Sequence, residues 1–358
     1  MHKLDILFIN PSSAQKAYQK LAETYSAIEP PTWSLLLAKS LSLSCKVDIL
    51  DCDALRISDK KAIEEIEYLN PKLVCFVIYG QNPNSGTTSM IGAESLAKNL
   101  KETSSKFKIM FIGSHVSALP MEVLSKSFID FISINEGITT LRQLIKTDFK
   151  IEELKKVNGL GYKENNIPQL TKPSLIVQDL DADLPGYSWE MLPYKNKKLD
   201  LYRAHYWHTY FKEKDRTPFA SIYTSLGCQF KCNFCMINIL NRNSNDLSKH
   251  AADFKGMRYW SPKFILNQID ILSKMGVKTL RIADEMFFLN KKYYIPILEG
   301  IIERGYDLNM WAYARIDTVR EDQLELFKKA GINWLALGIE AGNQNVRLDI
   351  EKGKFKDV

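Results

Sequence analysis

Three cysteines fall within eight residues of this chain: Cys228, Cys232 and Cys235, in the run Ser-Leu-Gly-Cys-Gln-Phe-Lys-Cys-Asn-Phe-Cys. A C-x3-C-x2-C spacing presents three thiolates to one soft metal centre and leaves a fourth coordination position unclaimed. Two metals are open on residue types alone. A cubane cluster has four irons, of which three cysteines hold three, so the fourth iron takes a small ligand with nitrogen and oxygen donors. A tetrahedral zinc would be completed by His208 or His250. Zinc sites usually pair two C-x2-C halves at a distance, and this compact triplet has no second half, which favours the cluster. An open metal position means chemistry.

The charged residues that chemistry would need recur at the ends of strand-like runs. Asp284-Glu285 closes an apolar run at 277–283, Arg315 closes Trp-Ala-Tyr-Ala-Arg, and Glu340 lies in Gly-Ile-Glu-Ala-Gly at 338–342. Ser261-Pro262 forms an N-cap and N1 pair opening a helix whose Ile265, Ile269, Leu272 and Met275 share one face, closed by Gly276. Strands at 277–283, 308–312 and 334–338 alternate with helices at 291–304 and 321–330, ended by Gly305 and Gly331, after a first strand beginning at Ala220. Four successive βα units predict a β/α barrel or a large part of one, with functional side chains at the carboxyl ends of its strands.

The preceding half alternates too. Apolar runs at 4–10, 47–52, 73–79, 108–113 and 130–134 are separated by helix-like segments at 32–44, 60–69, 87–102, 119–126 and 138–146, which predicts a parallel doubly wound α/β sheet. Its strands run out into Asn10-Pro11-Ser12-Ser13, Tyr79-Gly80-Gln81-Asn82, Gly113-Ser114-His115 and Asn135-Glu136-Gly137. Ligands bind outside the carboxyl ends of such strands, so these four loops are expected to share one crevice. No G-x-G-x-x-G follows the first strand, which argues against an ordinary dinucleotide site. Ser85, Gly86, Thr87 and Thr88 suit either the border of a ligand or a plain helix N-cap. From 150 to about 220, Gly and Pro punctuate a small hairpin and an extended connector. The expected domains are thus 1–148, a connector at 149–217 and 218–358.

With 358 residues, 45% hydrophobic and 25% charged, the chain reads as a globular protein of about two domains. Its formal charge of +6 is spread, with Lys60-Lys61 followed by Glu64-Glu65, so nucleic acid is not the expected partner. No apolar run reaches the ~18 residues of a membrane span, the N-terminus leads straight into a strand, and the cytoplasm is the expected location. Six cysteines without a secretory signal are expected to be reduced thiols or metal ligands.

Cys228-x3-Cys232-x-Phe234-Cys235, with its aromatic residue before the last cysteine and its place after the first barrel strand, resembles the radical S-adenosylmethionine (SAM) superfamily. That resemblance implies a (β/α)6 core, a 4Fe-4S cluster on the three cysteines, and chelation of the fourth iron by the amino and carboxylate groups of SAM. It also implies one-electron cleavage of SAM to methionine and a 5′-deoxyadenosyl radical, and a reducing partner such as flavodoxin or ferredoxin. Phe234, Glu285, Arg315 and Glu340 fall where the family contacts SAM, Glu285 toward the methionyl ammonium and Arg315 toward its carboxylate. Helix capping by Glu285 and a structural salt bridge by Arg315 are the plainer alternatives. Ala341 stands where the family's Gly-Ile-Glu-Ser-Gly has serine.

The N-terminal half resembles the cobalamin-binding domain that precedes many of these barrels, through Pro30-Pro31-Thr-Trp-Ser-Leu-Leu-Leu-Ala, Gly113-Ser-His115-Val-Ser-Ala-Leu-Pro120 and Asn135-Glu136-Gly137. By that likeness Pro11, Ser12, Tyr79, Gly80, Gln81, Ser85, Gly113, Ser114, His115, Glu136 and Gly137 border the corrinoid. D-x-H-x-x-G is missing, so cobalamin is expected without an axial protein histidine.

Together these features resemble class B radical SAM methyltransferases, which implies methyl transfer to an unactivated carbon of a small molecule. Two other readings stay open. A methylthiotransferase of RNA or ribosomal protein would hold a second cluster, for which Cys45, Cys52 and Cys75 are the available cysteines. A corrinoid and iron-sulfur binding fragment without catalysis is the other, because the family's barrel has six βα units and this sequence shows four. Low activity and an exposed barrel edge are therefore expected.

Overall fold

The computed structural model describes residues 2–79, 85–237 and 256–353. The described residues fall into two compact units, one within 2–24, 31–193 and 236–237, the other within 25–30, 194–235 and 256–353.

The first unit is a seven-stranded sheet flanked by helices. Strands β1 (Leu4–Asn10), β2 (Val47–Asp51), β3 (Pro71–Ile78), β4 (Lys108–Gly113) and β5 (Phe131–Ser133) are parallel, and β6 (Leu160–Glu164) and β7 (Ile167–Leu170) add antiparallel, in the order β2-β1-β3-β4-β5-β6-β7. β3 is central, and all its residues except Lys72 are buried, as its unbroken apolar sequence requires of a strand covered on both faces. The sheet departs from an all-parallel expectation at one edge. Asn165-Asn166, both with positive φ, make the tight reversal that lays the hairpin beside β5. Helix Asp59–Leu69 has the punctuation its sequence promises: Ser58 Oγ accepts from Lys61 N, and Asn70 at φ 45° ends it. Lys61 pairs with Glu64 and Glu65 on its solvent face.

The strand order 2-1-3-4-5 reverses direction between β1 and β3, and such a switch point opens a crevice at the strands' carboxyl ends. Asn10 at the end of β1 donates from Nδ2 to Asp51 Oδ1 at the end of β2 over 2.8 Å, fixing the two exits together.

In the second unit, β8 (Phe219–Ile222), β11 (Thr279–Ile282), β12 (Asn309–Arg315) and β13 (Ile332–Gly338) form a parallel sheet in the order β13-β12-β11-β8, each connected to the next through helical segments. A separate antiparallel pair, β9 (Ser225–Cys228) with β10 (Gly256–Tyr259), intervenes after β8. Helix Pro262–Lys274 is capped by Ser261 Oγ on Phe264 N and buries Ile265, Ile269 and Leu272. Gly331 precedes β13 at φ +91°, and a Cβ there would meet the Leu308 carbonyl oxygen at 2.3 Å, so only glycine makes this helix-to-strand turn.

Alternate residues of a strand share a face, and the register places Thr279 beside Asn309, Arg281 beside Trp311, and Trp311 beside Trp334. The same face carries Tyr313 and ends at Arg315. Arg281 sits over the Trp311 ring at 5.0 Å and pairs with Glu29, a buried charge met by a carboxylate. Among the described residues no helix is long and apolar enough to cross a membrane.

Candidate metal centre and cofactor loops

Cys228 is the last residue of β9, and Cys232 and Cys235 follow on the adjoining loop. The sequence placed all three on a loop straight after the first barrel strand. Instead the chain turns at Tyr223-Thr224 and makes a short hairpin strand first, where Gly227 at φ +92° lets the Gly256 carbonyl approach closely. Cys228 is buried, and Cys232 and Cys235 are half-buried. Burial raises the Cys228 thiol above its ordinary range, while the Phe230 N–H and the nearby Arg315 charge oppose that rise.

Arg315 binds this loop from the end of β12. Its Nη1 lies 3.8 Å from Cys232 Sγ, and its guanidinium carbon sits 3.9 Å from the Phe230 ring centroid. The rest of the fork is engaged: Nε and Nη2 donate to the two Asp317 oxygens at 2.9 and 2.8 Å, and Nη2 donates to the Lys352 carbonyl at 2.6 Å. A bidentate pair of this kind fixes the guanidinium plane. Glu285, half-buried after β11, feels Cys228 electrostatically, and burial pushes its carboxyl up to about 7 against the pull of Arg281. Glu340, two residues beyond β13 and held at φ 67°, accepts from Lys352 Nζ at 2.9 Å. Phe234 is exposed, and its ring lies 5.9 Å from Lys352 Nζ.

Lys352, Asp317 and Asn233 were not singled out in the sequence. Lys352 is buried although lysine seldom is, and Asn233 fastens the cysteine loop with N to Ile350 O at 3.2 Å and Nδ2 to Asp349 O at 3.1 Å. A lysine or asparagine in a polar stretch carries no periodic signal, so only the fold reveals these contacts.

The donor chemistry fits a cluster. Cys228, Cys232 and Cys235 offer three thiols on one short stretch, with the Arg315 guanidinium 3.8 Å from Cys232 Sγ, the soft donor set that a cubane takes. His208 is engaged elsewhere, its Nε2 on Asn309 O at 3.0 Å and its ring edge-on to Phe219 and Trp311, so it does not complete a zinc site. His250 lies outside the described residues. The other cysteines make poor ligands: burial raises the thiols of Cys52 and Cys75, and Cys45 Sγ donates to Leu41 O.

In the first unit, Pro11 and Ser12 leave β1 buried, and Tyr79 leaves β3 beside Trp33, ring centroids 5.2 Å apart. Trp33 Nε1 donates to Glu136 O at 3.1 Å, while the Glu136 carboxylate accepts from Val177 N at 3.0 Å. Glu136 thus braces these loops within its own unit. Gly137 turns at φ +84° into the helix Ile138–Leu144. Gly113 at φ +153° packs so tightly that a Cβ would lie 2.0 Å from the Ile78 carbonyl oxygen, and the buried Ser114 Oγ beside it has no hydrogen-bond partner among the described residues. His115 Nδ1 is 3.0 Å from Thr87 Oγ1. Ser85 precedes the helix Gly86–Thr103 without a side-chain cap bond. Gly80 and Gln81 lie outside the described residues. The buried Ser114 hydroxyl, unpartnered among the described residues, fits a polar contact to a large ligand laid over the β3 and β4 exits, while the bare backbone of Gly113 is taken up by Ile78.

The chain matches the family model of the radical SAM superfamily over residues 222–358 and that of the B12 binding domain over residues 18–145. The chain thus carries a B12 binding domain followed by a radical SAM domain. Its cofactors are a 4Fe-4S cluster, SAM and cobalamin. This radical SAM protein is 27% identical over 99% of its length to "uncharacterized methyltransferase PH0819" of Pyrococcus horikoshii, of which it spans 69%. It is 25% identical over 96% of its length to an anaerobic magnesium-protoporphyrin IX monomethyl ester cyclase of Cereibacter sphaeroides, of which it spans 52%. The fold is that of the cobalamin-dependent SAM radical enzyme OxsB, solved with aqua-cobalamin and SAM bound, with a TM-score of 0.69 and 18% identity over 98% of this chain and 46% of that one.

Proposed function

We propose that the chain acts as a cobalamin-dependent radical SAM enzyme that transfers methyl to an unactivated carbon of a small molecule. The observation that carries this reading is the cysteine triplet with Arg315 at 3.8 Å, in a chain that also holds a corrinoid-type 2-1-3-4-5 sheet. When bound, the cluster supplies the electron that cleaves SAM, and cobalamin carries the methyl group.

Cys228, Cys232 and Cys235 would hold three irons. Arg315 places a fixed positive charge beside them, and Asp317 keeps its plane. Glu285 offers a carboxylate for the methionyl ammonium, and its burial makes the uncompensated charge costly until that cation arrives. Glu340 and Lys352 form an internal pair at the same strand ends. Phe234 presents an exposed aromatic face, suited to stacking. In the first unit Pro11, Ser12, Tyr79, Ser85, Gly113, Ser114, His115, Glu136 and Gly137 would border the corrinoid, with Gly80 and Gln81 on the same loop in sequence. His115 serves there as a hydrogen-bonding residue, not as a cobalt ligand. The electron would come from a small redox protein such as flavodoxin or ferredoxin.

Methyl transfer follows the relative spanned to 69%; the cyclase, spanned to 52%, favours ring formation as a second reading. Anaerobic reconstitution with iron, sulfide and hydroxocobalamin, followed by SAM labelled with ¹³C in its methyl group, separates them. Label recovered in the extracted corrinoid supports methyl transfer. 5′-Deoxyadenosine without corrinoid labelling supports ring formation, and neither product overturns both.

A further inference from the structure

The strand that delivers Cys228 is held by one buried carboxylate. Asp284, 1% exposed, accepts from Thr224 N over 2.6 Å with Oδ1, and from Thr224 Oγ1 and Ser225 Oγ over 2.6 and 2.5 Å with Oδ2. Thr224 is fixed on its other side as well, its carbonyl accepting from Tyr293 Oη at 2.5 Å and from Trp260 N at 3.2 Å. Every polar group of Thr224 is thereby engaged, and β9 starts at the next residue and ends three residues later at Cys228. A strand that short transmits the position of its first residue to its last, because its backbone pairs with β10 throughout. A carboxylate enclosed by donors is costly to place in a protein interior unless every lone pair is met, and here the donors come from the two residues that launch the cysteine hairpin.

We infer that Asp284 is a positioning residue for the iron-sulfur cluster, fixing Cys228 through the Thr224–Ser225 turn. This rests on the proposed cluster function. It assigns to the Asp284-Glu285 pair two separate tasks, Asp284 turned inward to the hairpin and Glu285 toward the catalytic end of the sheet.

The test compares the full chain and its Asp284→Ala, Asp284→Asn and Thr224→Val/Ser225→Ala variants after anaerobic reconstitution. Iron content, the electron paramagnetic resonance of the reduced cluster and the circular dichroism of each are measured. Asp284→Ala is expected to keep the wild-type dichroism and its corrinoid absorbance, hold less than half the wild-type iron, and show an altered resonance. Asp284→Asn, which retains an acceptor for Thr224 N, is expected to recover most of the iron. Should Asp284→Ala fail to fold, the double variant keeps the carboxylate and the main-chain bond, and its resonance is expected to shift in the same direction at near-normal iron content. Wild-type iron and line shape in a folded Asp284→Ala, or in the double variant where the alanine variant does not fold, would overturn the inference. A wild-type chain that binds no cluster would overturn the proposed function itself, and this inference with it.

Discussion

Arg315 stands between a carboxylate and a thiol: Asp317 grips two of its nitrogens, and the third nitrogen faces Cys232 Sγ at 3.8 Å. The guanidinium is therefore a fixed charge and not a roaming one. A positive charge beside a cluster stabilises its reduced, more negative form. Replacing Arg315 with Gln should lower the midpoint potential by up to about 180 mV, taking roughly 4 kcal/mol for a charge about 4 Å away at an effective dielectric near 20. Asp317→Asn should raise it. Potentiometric titration followed by electron paramagnetic resonance reads both; shifts of opposite sign are expected.

Lys352 Nζ, nearly buried, meets Glu340 Oε1 at 2.9 Å, with Glu340 about one-third exposed. Lys352→Met leaves the carboxylate without its cation but keeps the main-chain carbonyl that Arg315 uses. The expected loss is roughly 1–2 kcal/mol, less than for a fully buried pair because water reaches Glu340. The double variant Lys352→Met/Glu340→Gln should recover part of it in urea unfolding followed by tryptophan fluorescence.

His208 is fully buried, and burial depresses its pKa to about 4. Its folded pKa is below the unfolded value, so its contribution is present above about pH 6.5 and is lost as pH falls toward 4. Asp284 and Glu285, raised to about 6 and about 7, run the other way, their contributions present at low pH and lost as pH rises through those values. The wild type must therefore be compared with His208→Gln. Its stability relative to that variant should fall by roughly 2–3 kcal/mol between pH 7 and pH 4.5. A constant difference across that range would contradict the assignment.

At the corrinoid crevice, Gly113→Ala forces a methyl group onto the Ile78 carbonyl and should cost about 3 kcal/mol or more, with loss of bound corrinoid absorbance. His115→Ala removes the Thr87 contact. Corrinoid should still bind, and the cob(II)alamin spectrum should show no protein-nitrogen splitting before or after the change.

Much of this architecture was legible in the sequence because burial writes period and punctuation into it. The apolar run of β3 announced a strand covered on both faces, and Ser261-Pro262 with Gly276 bounded a helix that the structure reproduces. The cysteine spacing pointed to the metal chemistry by itself. The β9–β10 hairpin was not legible, since Gly-Met-Arg-Tyr at 256–259 is too short to show alternation and its partner was hidden inside the cysteine motif. Nor was the antiparallel addition of β6 and β7 to the sheet, because a hairpin's sequence fixes its turn but not which edge it joins. Asn233, Asp317 and Lys352 act through partners 2 to 117 positions away, contacts that no local pattern encodes.

Mössbauer spectroscopy of the chain reconstituted with ⁵⁷Fe tests the central claim most directly. About four irons per chain are expected in one cluster, with one iron changing its isomer shift when SAM is added, and Cys232→Ala should abolish that response. A cluster of four equivalent irons indifferent to SAM, or a site that holds zinc in preference to iron, would contradict the account.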